Sequence, residues 1–471
     1  MDTKQYSDKK YENHKKTMKK LRLTTMQRIA MGFLGIILLG GVLLWLPICN
    51  QKPIAFFDSL FTSVSAVCVT GLVTIVPAEQ FTLLGKLVLL LLIQIGGLGV
   101  IACTIAFFLA LRRRITMKER VVIQQAYGLD TLTGLVRFII RILKGTLLIE
   151  GIGAVLFSLQ FIPEYGVYPG IGYGIFHAIS AFCNAGIDIL GQNSFIDYVG
   201  SPLVNLTTMF LIVMGGLGFP VWHDIHVNTK KVLKGRKPKG RLIKRLGLQS
   251  KIVLTMTAAL LLLGTAGFFL LEYNNPETMK NFSLGQKLMA SGFQSVTTRT
   301  AGFAAVPQGG LTEGSKLLGC VLMFIGGSPA GTAGGVKTTT IAMLLLTALS
   351  VLRGRKDTEC FGRKLDDSIV RSGITITLVT FLFWLIGTGV ITVLEPRAEY
   401  LDIMYETTSA IGTVGLSADL TPSLSRASQV VLMILMYAGR IGPMTMALVF
   451  AGKARAGTQF RELPEKRIML G

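Results

Sequence analysis

Apolar residues in this chain fall into blocks about as long as a bilayer crossing, roughly 20 residues, divided by short polar connections. Residues 29–46, 135–161, 252–271 and 369–394 are four such blocks, and 83–111 is a fifth, interrupted only by Lys86 and Gln94. Continuous apolarity over such lengths predicts membrane-spanning helices, because a soluble domain breaks its apolar runs with polar turns far more often. A soluble protein, a coiled coil and a disordered chain are all excluded by the pattern.

A shorter motif repeats in the moderately polar stretch after each block. Ser65 precedes Gly71, Ser180 precedes Gly186 and Ser409 precedes Gly415, each pair enclosing five residues; Ser295 and Gly302 follow the same form with one residue more. The four glycines are spaced about 115 residues apart in a chain of 471, so the chain reads as four copies of one unit. A second mark follows each: Gly96-Gly97-Leu98-Gly99, Gly215-Gly216-Leu217-Gly218, Gly326-Gly327-Ser328-Pro329 and Ala438-Gly439-Arg440.

Charge orients the units. Lys and Arg number 48 against 26 Asp and Glu, and 38 of those cations lie in 1–28, 112–144, 230–251, 353–371 and 453–467. Connections between these segments are acidic on balance, the positive-inside pattern of a multi-pass protein of the cell (plasma) membrane with both termini cytoplasmic. The basic runs signal topology and contact lipid headgroups. No aromatic interleaving accompanies them, so no nucleic-acid partner is expected. The resulting units are repeat 1 at 29–111, repeat 2 at 112–229, repeat 3 at 230–352 and repeat 4 at 353–452, between a cytoplasmic arm, 1–28, and a cytoplasmic tail, 453–471.

The stretch before each glycine is too short and too polar to cross the bilayer, and the flanking spans already satisfy the charge pattern. It therefore dips in and returns as a half-helix followed by extended backbone, which is tolerated at membrane depth only beside a water-filled path. The expected fold is an all-α membrane protein with four parallel span–pore-loop–span repeats arranged pseudo-fourfold around one central pore. Val69-Thr70-Gly71, Asn184-Ala185-Gly186, Thr300-Ala301-Gly302 and Thr413-Val414-Gly415 would line it. Glycine reaches backbone angles closed to other residues, so carbonyls face the axis and can replace a cation's hydration shell. Asp58 and Asp402 near the outer mouth would add cation attraction.

In the third repeat Gly326-Gly327-Ser328-Pro329-Ala330-Gly331-Thr332-Ala333-Gly334-Gly335 cannot be continuous helix, at a cost of about 1 kcal/mol per Gly and 3 for Pro. A broken helix below a filter is a natural gate. It is superficially similar to a phosphate-binding loop but has no Gly-Lys pair, so no nucleotide is expected on this chain. The marks at Gly96 and Gly215 read more simply as close helix packing. Arg440, mid-span, is expected to pair with carbonyls of 326–335, or alternatively with Glu406 or another acid. Arg299 reads as a brace for its own loop through Glu406. The six cysteines read as free buried thiols, and His223-x-x-His226 as an interfacial helix end rather than a metal site. No nucleophile–base pair or metal set suggests an enzyme.

These residues resemble the superfamily of K⁺ transporters that includes bacterial Trk and Ktr membrane subunits and plant HKT proteins. The likeness spans about 25–460 and is most specific in 326–340 with Arg440; the short arm before the first span is similar to the Ktr type. The resemblance implies K⁺ uptake, often stimulated by Na⁺, through a homodimer that works with a cytoplasmic ring of nucleotide-binding regulatory subunits. It also implies that Gly71, Gly186, Gly302 and Gly415 are filter glycines, that 326–335 is the gating loop and that Arg440 is its partner. The basic stretches 112–120 and 230–251 are candidates for docking the regulatory subunit. Two alternatives stay open: an Na⁺-selective or Na⁺-coupled transporter of the same fold, and a broken-helix secondary transporter of an organic solute.

Overall fold

The computed structural model describes residues 25–99, 133–233, 245–355 and 357–442, with isolated residues between 102 and 127. Residues 1–24 of the arm, most of 112–120, 234–244 of the basic stretch, 443–452 of the fourth repeat and the tail 453–471 lie outside the described residues.

One order of elements recurs along the chain. First come α1 (Thr25–Trp45), a short α2 (Phe56–Cys68) and α3 (Leu83–Leu98). Then follow α4 (Leu135–Tyr165), α5 (Val167–Cys183), α6 (Pro202–Gly216) and, after a break, α7 (Phe219–Leu233). The third group is α8 (Leu248–Glu272), α9 (Leu284–Thr297), α10 (Glu313–Phe324) and α11 (Thr338–Leu352), and the fourth is α12 (Asp367–Leu394), α13 (Tyr400–Gly412) and α14 (Arg426–Ile441). A small antiparallel hairpin, β1 (Glu359–Cys360) with β2 (Arg363–Lys364), lies between α11 and α12.

α1, α4, α8 and α12 are long and apolar enough to cross a membrane and match the four predicted first spans within a few residues. Only 22% to 33% of their apolar windows is buried within the chain, so they form the outer, lipid-facing shell. The short helices are the opposite: ten of the 13 residues of α2 are buried. Some of their hydroxyls bond back to their own helix, as Thr62 Oγ1 does to Asp58 O at 2.8 Å and Thr408 Oγ1 to Met404 O at 2.6 Å, while Ser63 Oγ reaches Ile37 O on α1 at 2.7 Å.

A Ser or Thr opens the second helix in every group. Thr82, Ser201, Thr312 and Ser425 each accept the backbone N–H three residues on, capping α3, α6, α10 and α14. Each second helix then packs on a short helix of the following group: α3 on α5, α6 on α9, α10 on α13, and α14 back on α2. The packing closes into a ring.

The break expected in the third group is present, since α10 ends at Phe324 and α11 resumes at Thr338; unexpectedly, the second spans of the other three groups also stop at the small-residue mark. α3 ends at Gly99 (φ 84°), α6 turns by 96° around Gly218 (φ 88°), and α14 ends at Gly442 (φ 96°). Close packing is present at the same marks: a Cβ at Gly96, Gly215 or Gly439 would strike the carbonyl of Val67, Phe182 or Ile411. The glycines that admit these carbonyls also leave the helix easy to end.

Candidate functional site

All four short helices run into a sharp turn. Val69, Asn184, Thr300 and Thr413 stand at φ 57°, 60°, 72° and 50°, and the glycines two residues later at φ 106°, 63°, 79° and 92°. Left-handed backbone is unusual for β-branched residues such as Val and Thr, so tertiary contacts must hold these turns. The hydroxyl six residues before the glycine is one such contact. Gly71 N–H donates to Ser65 Oγ and Gly415 N–H to Ser409 Oγ, both at 3.0 Å, while Ser180 Oγ donates to Ile187 O at 2.6 Å. The third loop differs from its sequence alignment: Thr297 Oγ1 takes this role, donating to Phe303 O at 2.6 Å, and Ser295 turns away to Leu261 O at 2.9 Å. The extra residue there displaces Ser295 from the loop.

The four glycines meet. A Cβ on Gly71 would lie 2.6 Å from Ala185 O, one on Gly186 2.5 Å from Ala301 O, and one on Gly302 2.6 Å from Val414 O; one on Gly415 would strike Thr70 O. Each glycine thus faces the carbonyl just before the glycine of the next loop, in cyclic order, and no side chain fits between them. Outside this constriction a cavity of about 650 Å³ is lined by Gly71, Gly186, Gly302 and Gly415 together with Thr74, Asp188, Ser417 and Asp419. Burial raises the Asp188 carboxyl to about 6, against bonds from Ser194, Gly191 and Leu190 that pull it down, and its Oδ1 has no hydrogen-bond partner.

On the other side of the constriction lies the segment between α10 and α11. Gly334 abuts Thr413 and Gly335 lies against Gly412 O, while Thr332 Oγ1 donates to Phe182 O at 3.2 Å. The broken end of α6 carries it: Ser328 N–H donates to Gly216 O at 2.9 Å, Thr332 N–H to Gly215 O at 3.2 Å, and Phe219 N–H to Ala330 O at 3.0 Å. Arg440 Nη1 donates to Thr332 O, and Nη2 to Gly96 O and, at 3.2 Å, to Gly97 O. The expected pairing of Arg440 with loop carbonyls is therefore present and the alternative with Glu406 is not. The guanidinium bridges the loop to the end of α3, a link no sequence pattern announced.

Other side chains depart from expectation. Asp58 and Asp402 do not face the mouth as free charges. Asp58 is paired with Arg426 at 2.5 Å and accepts from Thr74 at 2.9 Å, and Asp402 is paired with Lys316 at 2.6 Å. Glu406 is taken up by its own loop, accepting from Ser417 Oγ at 2.5 Å, Thr421 Oγ1 at 2.6 Å and Leu420 N–H at 3.3 Å. Arg299 therefore does not brace through it; its side chain borders a small cavity with Thr257, Val296 and Gly327, and its Nε has no partner. His223 and His226 lie inside α7 rather than at a helix end. Among the described residues no group of three or more His, Cys, Asp or Glu could hold a metal ion, and the six cysteines are free.

Two polar residues near the loops were missed. Lys337 Nζ donates to Ala333 O at 2.7 Å and Gly334 O at 3.3 Å, a second cation on the 326–335 carbonyls. Glu150, a lone buried acid in a long span, accepts from Gln94 Nε2 at 3.1 and 3.2 Å, and Gln94 Oε1 in turn accepts from Cys183 Sγ at 3.4 Å behind the second loop. An acid inside an apolar run is the signal that could have found it.

Comparison with known proteins gives the family and the overall fold. Residues 3–460 match the family described as TrkH, cation transport protein. The chain is 37% identical over 456 residues to the Ktr system potassium uptake protein B of Bacillus subtilis, covering 97% of this chain and 99% of that one. It is 38% identical over 462 residues to the potassium/sodium uptake protein NtpJ of Enterococcus hirae, with the same coverage of both. The crystal structure of the potassium transporter TrkH from Vibrio parahaemolyticus shares the fold at a TM-score of 0.69 and 19% identity, over 92% of this chain and 86% of that one. With near-complete coverage on both sides and spans where a membrane protein needs them, this chain belongs to the TrkH family of cation transport proteins.

Proposed function

We propose that this chain is the ion-translocating membrane subunit of a potassium uptake system. Its four units, 29–111, 112–229, 230–352 and 353–452, form span–pore-loop–span repeats set pseudo-fourfold around one pore. The observation that carries the proposal is the cyclic opposition of each of Gly71, Gly186, Gly302 and Gly415 to a carbonyl of the next loop. Such a ring presents partial negative charge to one axis, where carbonyl dipoles substitute for a cation's water. The C-terminal ends of α2, α5, α9 and α13 reinforce that field. Residues 69–71, 184–186, 300–302 and 413–415 are the filter, and 326–335 with Arg440 is the gate beneath it.

K⁺ is the favoured cargo because the 37%-identical Bacillus subtilis relative is named a potassium uptake protein. That relative belongs to a named system, which fits a separate cytoplasmic nucleotide-binding regulatory subunit, with the transporter itself a homodimer in the cell membrane and both its termini cytoplasmic. Stimulation by Na⁺, or Na⁺ as a second cargo, is favoured by the Enterococcus hirae relative, named for both ions. The deciding experiment is Rb⁺ uptake into K⁺-loaded proteoliposomes holding only this chain, with and without external Na⁺. Rb⁺ entry blocked by external K⁺ is expected. Entry of ²²Na⁺ without Rb⁺, in correctly inserted protein, would overturn the cargo assignment, and the Na⁺ arms report stimulation.

A further inference from the structure

The break in the second group sends α7 off at nearly a right angle to α6. The helix runs level with the first turn of α8, because Asp224 Oδ2 accepts from Gly247 N–H at 2.8 Å and Ser250 Oγ at 2.6 Å. Lys230 and Lys231 close its last turn. α7 therefore lies at the basic, cytoplasmic face, and between it and α4 is a groove of about 320 Å³.

Two chemistries meet there. Arg141 and Lys144 on α4 and His223 and His226 on α7 line one part, and Phe138 and Trp222 wall the rest. Among the described residues no acid lines the groove; Asp224, the acid on α7, is engaged by α8 and by Asn228 Nδ2 at 2.8 Å. Arg141 Nη1 lies 3.2 Å from His223 Nδ1. A guanidinium only donates, so Nδ1 accepts and the imidazole hydrogen sits on Nε2, which makes His223 a neutral partner for Arg141. Trp222 is fixed as a wall by its indole N–H, which donates to Met214 O at 3.1 Å.

The groove continues along α4. Arg141, Lys144 and Leu148 follow one another at helical spacing on one face, and Leu148 is 66% exposed toward the hydrocarbon side. A cationic seat that opens onto an exposed leucine suits a ligand with both a negative head and an apolar tail. We infer that this groove binds the phosphodiester headgroup of an anionic phospholipid of the inner leaflet, with an acyl chain laid along Leu148. Basic pockets between helices on the cytoplasmic side are suited to such headgroups. A free phosphate would use the cations but not the exposed Leu148. The seat adjoins the loop 326–335, because α7 begins at Phe219, whose N–H holds Ala330 O at 3.0 Å.

The test is native mass spectrometry of the purified full chain, titrated with phosphatidylglycerol, with phosphatidylcholine, and with inorganic phosphate. One tightly retained phosphatidylglycerol per chain is expected, in preference to phosphatidylcholine. The double variant Arg141→Ala/Lys144→Ala should bind it roughly tenfold or more weakly, while Arg141→Lys/Lys144→Arg should keep the preference. Lys144→Gln alone, expected to weaken retention several-fold, carries the test should the double variant fail to fold. Equal retention of both lipids, or a preference unmoved by neutralising the cations, overturns the inference. Displacement of the retained lipid by millimolar phosphate would assign the seat to a soluble anion instead. Binding is read without any ion flux, so its failure and failure of the transport proposal are separable.

Discussion

If 326–335 is the gate, Arg440 is its latch, and replacing it should release the loop. Arg440→Gln removes a cation that bonds Thr332 O on the loop and Gly96 O and Gly97 O at the end of α3. A hydrogen bond to a charged group contributes about 1.5–3 kcal/mol, and the shorter amide can span at most one side of the bridge. Losing two such bonds would weaken the seated loop by ~3–6 kcal/mol. Part of that returns, because the variant no longer keeps a desolvated cation inside the membrane. A net loss of ~2 kcal/mol corresponds to about thirtyfold in loop occupancy, at 1.36 kcal/mol per tenfold. The assay is the initial rate of Rb⁺ uptake into proteoliposomes, at matched protein insertion, with the Rb⁺/Na⁺ ratio measured in parallel. A several-fold or greater rise in rate with an unchanged ratio is expected, because no atom of the glycine ring is altered. Arg440→Lys should fall between, since one ammonium cannot reproduce the fork that reaches both sides. A well-inserted Arg440→Gln protein with the wild-type rate, or a slower one, would refute the latch.

The glycine ring predicts that Gly71→Ser or Gly415→Ser, whose Cβ would displace Ala185 O or Thr70 O, lowers Rb⁺/Na⁺ selectivity about tenfold or more; unaltered selectivity in both would exclude these loops from ion recognition. Asp188 carries its charge above about pH 6 and loses it below, so acidifying the outside from pH 7.5 to 5 should slow uptake, and Asp188→Asn should abolish that dependence without restoring the higher rate. Lys316→Met, which leaves Asp402 in a pair with side chains 9% and 20% exposed, should lower stability by ~3 kcal/mol in thermal unfolding. Arg426→Gln, from a pair whose arginine is 56% exposed, should cost under about 1 kcal/mol. Equal losses from the last two variants would contradict the burial argument.

Much of the architecture was legible because it rests on length and period. The apolar blocks mark α1, α4, α8 and α12, and the regular glycine spacing marks the four loops, since both are properties of the chain read one residue at a time. What stayed hidden depends on partners distant in sequence. Arg426 neutralises Asp58 from 368 residues away, and the carbonyls of Gly96 and Gly97 that receive Arg440 belong to no residue type at all. The left-handed turn at Val69, Thr300 and Thr413 was equally invisible, because β-branched residues are poor candidates for positive φ and only packing compels it. Ser295 misled for a related reason: similarity of letters aligned it with Ser65, whereas the hydrogen bond chose Thr297.

The ring in which α3, α6, α10 and α14 each lean on a neighbouring short helix closes within a single polypeptide. In an assembly of four identical subunits every change would be made four times at once. Here each quadrant can vary alone, and the third has done so: if its glycine-rich segment is the gate of the proposed pore, four copies would occupy the same space. Joining the quadrants into one chain is what would let such a pore own a single bar across its path.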